Sequence, residues 1–136
     1  MTAKPSSVTI SRILLAEDDD SMRGFLVRAL KKAGYDVIAY PNGEEAFERL
    51  KSEPFTLLLT DIVMPGEIDG FELAHQAKQF LPSLRVVYTS GFLKDIPWGG
   101  KGIGYGPLLQ KPWRQAQLIA AVEAQLRGGA GSAGQS

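Results

Sequence analysis

The chain has no cysteine, which removes disulfides, thiolate nucleophiles and sulfur-ligated zinc from the chemistry open to it. Its one histidine, His75, cannot build a metal cluster alone. Neither charge sign is in excess: fifteen Lys and Arg face fifteen Asp and Glu, so no global field favours nucleic acid or an anionic membrane. Also missing is any apolar run long enough to span a bilayer, and the opening MTAKPSSVTISR lacks the apolar core of a signal peptide. The expectation is a cytoplasmic protein with no membrane or nucleic-acid partner. What is present is ordinary for a globular domain: 136 residues, 44% apolar and 22% charged, enough for one core.

The two ends read as flexible. Residues 1–11 are polar with Pro5, and residues 128–136 (GGAGSAGQS) are small, leaving 12–127 as the folded domain. Between them, short apolar runs alternate with helical patterns. Ile13 to Ala16 is a strand that breaks off at Glu17, Asp18, Asp19 and Asp20. Met22, Phe25, Leu26, Ala29 and Leu30 then recur at spacings of three and four, one face of a helix that Gly34 stops. Val37 to Tyr40 is a second strand, and Asn42 with Glu45 opens a helix lined by Ala46, Phe47 and Leu50.

Phe55 to Thr60 is a third strand ending at Asp61. Asp69 caps a helix carrying Phe71, Leu73, Ala74, Ala77 and Phe80. Leu84 to Tyr88 is a fourth strand ending at Thr89 and Ser90, and Leu108–Leu109 a fifth ending at Lys111. A last helix follows from about Trp113 to Arg127. Continuous rather than alternating apolarity suits a sheet covered on both faces, and strand–helix alternation implies parallel pairing. The fold class is therefore α/β, a doubly wound five-stranded parallel sheet. Residues 91–106 are the exception: six glycines and Pro97 in sixteen residues leave room for only a short fourth helix near Phe92 to Ile96, or none.

Polar residues gather at strand ends. In an open parallel sheet those ends share one edge, where ligands bind at the topological switch point. Glu17, Asp18, Asp61, Thr89 and Lys111 should therefore meet. Three carboxylates in one place repel unless a cation joins them. An all-oxygen, incomplete ligand shell suits Mg²⁺, which keeps waters and accepts phosphate oxygens. A carboxylate can attack phosphorus to give an aspartyl phosphate, with an ammonium group and a hydroxyl to hold the phosphoryl oxygens. Taken singly these residues have plainer readings. A pair of acids after a strand is usually a helix N-terminus complementing its dipole, as expected for Asp19 and Asp20. Asp69 reads as a cap, His75 as a surface helix residue, and Trp113 as packing.

The strings ILLAEDD, LLLTDIVMPGEIDG, VVYTSG and LLQKPW, in this order and spacing, closely resemble the receiver domains of two-component response regulators, over roughly Arg12 to Arg127. AEDD and LLTDIVMP look most like single-domain regulators of the CpdR type. VYTSGF and LLQKPW also resemble receivers at the C-terminal ends of hybrid histidine kinases. The resemblance implies the CheY-like, flavodoxin-like (βα)₅ fold with strand order 2-1-3-4-5. It makes Asp61 the phosphoacceptor, Asp18 a direct Mg²⁺ ligand, Glu17 a ligand mainly through water, and the Val63 backbone carbonyl a further ligand. Lys111 and Thr89 match the phosphoryl-binding lysine and the switch hydroxyl. The Lys111–Pro112 bond is commonly cis in that family.

The implied function is a stand-alone receiver, not an enzyme, phosphorylated by a histidine kinase or histidine phosphotransfer protein. No output domain is expected to follow, so output goes through a protein target or onward phosphotransfer, from a monomer or a phosphorylation-dependent dimer. The alternative is an interaction module that keeps the acidic pocket without using phosphorylation; loss of Asp61 or Lys111 would have favoured it. A phosphatase lacks an added general acid, and a flavodoxin-like carrier lacks a phosphate-cradling loop. Two departures from the family pattern concern how the switch is read. Leu108 stands where the aromatic rotamer switch usually sits, with Tyr105 the nearest substitute. The glycine-rich stretch alters the usual output surface and leaves Trp98 as loop anchor or partner contact. Val63 has no polar side chain to orient an attacking water, which points to slow loss of phosphate.

Overall fold

Strands that are apolar on both faces need helices above and below, and the chain supplies both layers. The computed structural model describes residues 11–91 and 105–135. In chain order the elements are β1 (Arg12–Ala16), α1 (Asp20–Lys32), β2 (Asp36–Tyr40), α2 (Gly43–Ser52), β3 (Leu57–Asp61), α3 (Gly70–Phe80), β4 (Arg85–Ser90), β5 (Leu108–Gln110) and α4 (Gln115–Gln135). The five strands form one parallel sheet in the order β2-β1-β3-β4-β5, as the resemblance implies.

Alternation along the central strands sends side chains to two cores. Leu14, Leu58, Val86 and Tyr88 pack with Ala46 and Leu50 of α2 and Leu73, Ala74 and Ala77 of α3. Ile13, Leu15, Leu57, Leu59 and Val87 pack with Leu26 and Leu30 of α1 and Leu118 and Val122 of α4. Each fully buried leucine contributes about 1.5–3 kcal/mol, so the interior strands β1 and β3 anchor the sheet.

Local signals set the helix starts. Asp19 accepts the Met22 amide at 2.7 Å, Asn42 the Glu45 amide at 2.8 Å and Asp69 the Glu72 amide at 2.9 Å, so Asp69 is a cap and Asp20 a first-turn residue. The Glu45 carboxylate meets the side-chain amide of Asn42 at 2.9 Å, not its backbone, so the capping box is only half built. Gly34, at φ 103°, provides the left-handed residue after α1.

Two expectations change. The last helix does not stop at Arg127 but continues through Gln135 into the glycine-containing segment expected to be a tail. No proline interrupts it, and extending an existing helix is far easier than nucleating one. Phe80 is half exposed rather than inward, because it lies at the end of α3 beyond the buried Ala77. The expectations for residues 1–10 and 92–104, including the short fourth helix and the role of Trp98, lie outside the described residues.

Two glycines give opposite predictions. A Cβ on Gly24, inside α1, would meet only the flexible end of Arg28 at 3.3 Å. Gly24→Ala should raise stability by about 0.5–1 kcal/mol through helix propensity. A Cβ on Gly106 would run into the Val86 carbonyl oxygen, so Gly106→Ala should lower stability by about 1–3 kcal/mol. Urea midpoints of the two variants should move in opposite directions.

Candidate functional site

The parallel ladder continues one residue beyond the strands, and these extra bonds aim the polar residues. The Glu17 amide donates to the Tyr40 carbonyl at 3.1 Å, the Ile62 amide to Thr89 at 2.9 Å, and the Lys111 amide to Ser90 at 2.8 Å. Asp61 and Thr89 are register partners on β3 and β4. Four strand ends thus meet at one edge; of the five residues expected there, Glu17, Asp18, Asp61 and Lys111 come together, and Thr89 lies beside Asp61 in the ladder.

Lys111 Nζ lies 3.1 Å from Glu17 Oε1 and 3.2 Å from Asp61 Oδ2. One oxygen each from Glu17, Asp18 and Asp61 falls within 4.8 Å of the others. Glu17 and Asp61 are buried, whereas Asp18 opens to solvent. Burial foremost, then the neighbouring Asp61 charge, pushes the Glu17 carboxyl up despite Lys111. Burial likewise raises Asp61, with Lys111 opposing. At Lys111 burial pulls the pKa down, but the charges of Asp61 and Glu17 prevail and hold it above the usual lysine value. One ammonium against three carboxylates leaves excess negative charge, and hard oxygen donors around a partly open site fit a divalent cation such as Mg²⁺.

The loops that carry these groups are braced from outside. Arg23 donates from Nη1 to the Glu17 carbonyl at 3.0 Å and from Nη2 to Asp20 Oδ1 at 2.6 Å, tying the acidic loop to α1. Gly70, the first residue of α3, packs so close to the Asp61 carbonyl that a Cβ would overlap it. Glu44 of α2 accepts the amides of Glu67 and Ile68 in the loop after β3. Neither Arg23 nor Glu44 stood out in the sequence. Arg23 follows Asp20 at helical spacing, but its carbonyl contacts carry no sequence mark.

The remaining candidates fall as follows. Thr89 is buried beside Asp61 at the end of β4. The Val63 side chain is half exposed in the loop two residues past Asp61. The Lys111–Pro112 bond is cis. Trp113 packs, with its ring stacked on Phe25 at 6.3 Å between centroids. Leu108 lies opposite Tyr88 in the ladder, partly buried on the α2/α3 side. His75 is an exposed helix residue, and its Nδ1 also lies 3.0 Å from the Tyr105 hydroxyl, pinning Tyr105 to α3.

Residues 13–123 match the family model described as the response regulator receiver domain. Over 124 residues the chain is 47% identical to the response regulator receiver protein CpdR of Brucella abortus, covering 86% of this chain and 98% of that one. It is 32% identical to the sensor kinase CckA of the same organism, covering 84% of this chain but only 12% of the kinase. A response regulator receiver protein of Sinorhizobium medicae superimposes with a TM-score of 0.79 at 33% identity, over 86% of this chain and 94% of the other. Among the described residues, no helix is long and apolar enough to cross a membrane.

The raised carboxyls make a prediction with a definite sign. A group whose folded pKa is raised stabilises the fold below its unfolded pKa, and that contribution is lost as pH rises through the folded value. In metal-free protein, the stability of Glu17→Gln relative to the native chain should therefore increase as pH rises from the unfolded value, about 4, through the raised folded one. A pocket that takes Mg²⁺ would make millimolar Mg²⁺ narrow the difference. Urea midpoints across pH, with and without Mg²⁺, check both parts; a flat difference would sink the electrostatic account.

Proposed function

The chain belongs to the response regulator receiver domain family of two-component systems, and we propose that it takes a phosphoryl group on Asp61 in a Mg²⁺-dependent reaction. Receiver domains are in general signalling modules and not enzymes. The observation that carries the proposal is the Lys111 ammonium bridging Glu17 and Asp61, with Asp18 alongside, at the open edge of the sheet.

In this reading an Asp61 carboxylate oxygen attacks the phosphorus of a phosphohistidine on a kinase or phosphotransfer protein. The new P–O bond forms as the P–N bond breaks, and the released imidazole nitrogen keeps its electron pair. Asp18, Asp61 and the Val63 carbonyl would hold Mg²⁺ directly, with Glu17 acting mainly through water. The ion would offset the excess negative charge and stabilise the transferring phosphoryl oxygens. Lys111, already at Asp61 Oδ2, pairs with the phosphoryl group, and the Thr89 hydroxyl hydrogen-bonds to it. Output passes to a protein partner or by onward phosphotransfer, in the cytoplasm.

Incubation with acetyl phosphate and Mg²⁺ should add the mass of one phosphate to the intact protein. Asp61→Asn should abolish the gain, whereas Thr89→Ala should keep it. With Val63 unable to orient a water, the modified protein should lose phosphate over minutes or longer. Absence of any mass gain in the native chain would overturn the proposal, and a lifetime of seconds would overturn its last part.

A further inference from the structure

The loop of residues 62–69 leaves Asp61 directly and carries Val63, yet it is held by α2, a helix that lends no group to the pocket. Glu44, in the first turn of α2, receives two of its amides on one oxygen. Glu67 donates to Oε2 at 2.5 Å and Ile68 at 3.3 Å. Gly66 passes under the same carboxylate with φ +98°, and a Cβ there would lie 2.6 Å from Glu44 Oε1. The neighbouring Gly43 is shaped to Ile68, whose side chain would be 2.7 Å from an added Cβ. The Glu67 amide, foremost among backbone donors, holds the Glu44 carboxyl below its ordinary value, so at neutral pH it is purely an acceptor. Two glycines on opposite sides of one contact let helix and loop meet at this closeness.

A carboxylate in the first turn of a helix has a plainer role, complementing the helix dipole. Glu45 provides the comparison within the same turn. Its carboxylate accepts from the side-chain amide of Asn42, and among the described residues it makes no hydrogen bond to the loop. A dipole role would be shared by both residues, whereas a grip on the loop belongs to Glu44.

We propose that Glu44 is a positioning residue for the phosphoacceptor site: by gripping the Glu67 and Ile68 amides it fixes the course of the loop bearing the Val63 carbonyl, and so sets the affinity of the pocket for Mg²⁺. This rests on the reading of that pocket as a Mg²⁺ and phosphoryl site. Outer supports of metal ligands act in this way, keeping a ligand on target without touching the ion.

The test is calorimetric titration of the unphosphorylated full chain with Mg²⁺, for the native protein, Glu44→Ala, Glu44→Gln and Glu45→Ala. Glu44→Ala should bind Mg²⁺ about tenfold more weakly, at the low end for loss of outer support. Glu44→Gln, which keeps an acceptor oxygen without the charge, should fall between it and the native chain; Glu45→Ala should stay near native. The Mg²⁺ concentration for half-maximal labelling by acetyl phosphate should shift by the same factor in Glu44→Ala, with the rate at saturating Mg²⁺ retained. Native affinity in Glu44→Ala, or an equal loss in Glu45→Ala, overturns the proposal. If Glu44→Ala does not fold, Glu44→Gln against Glu45→Gln decides it on the same criterion. A native chain that binds no Mg²⁺ overturns the site reading, and the proposal with it.

Discussion

The pocket depends on one cation. Glu17 and Asp61 are carboxylates at the end of a buried sheet, where ionised groups are costly and like charges repel. Lys111 makes their shared burial tolerable by contacting both, at 3.1 and 3.2 Å. It reaches them because β5 follows β4 in the sheet and its amide continues the ladder onto the Ser90 carbonyl. The ammonium meets only part of the negative charge, and Asp18 stands open to solvent beside it. A site arranged in this way favours a divalent cation. The same lysine is then close to the oxygens of Asp61, where new negative charge would develop.

How far this could be read in advance follows from the range of each interaction. Strand ends and caps are written locally: an apolar run stops at Asp61, and Asp19, Asn42 and Asp69 each receive an amide three residues on. Parallel topology then turns four local strand ends into one site, which is why Glu17, Asp18, Asp61, Thr89 and Lys111 could be grouped from sequence. Glu44 could not, because its partners lie 23 and 24 residues away and nothing periodic links a helix N-terminus to a later loop. Nor could the pairing of His75 with Tyr105, 30 residues apart. The end of α4 was missed for another reason. Glycine content measures a helix's intrinsic cost, whereas continuation depends on the turn already formed.

The braces and the pocket divide the work by charge. Arg23, a pure donor, takes the Glu17 carbonyl of the loop after β1, and Glu44, a pure acceptor, takes amides of the loop after β3. Each loop is thus gripped through its backbone, which leaves its side chains free for the site. Gly70 completes the arrangement by letting α3 begin directly against the Asp61 carbonyl. The geometry of the acidic cluster is therefore a property of α1, α2 and α3 as much as of the strands that carry the ligands.

The same sheet fixes where aromatic bulk lies relative to the Thr89 hydroxyl. Leu108 occupies the β5 position facing Tyr88, and it is Tyr88 that fills the space on the α2/α3 side, its ring 5.3 Å from Phe71. Burial pushes the Tyr88 phenol well above its usual pKa, and among the described residues its hydroxyl has no hydrogen-bond partner. Because successive strand residues point to opposite faces, Tyr88 and Thr89 lie on opposite sides of β4. In this chain the aromatic ring next to the site is covalently tied to the strand that bears the hydroxyl, and not to the strand that bears the lysine.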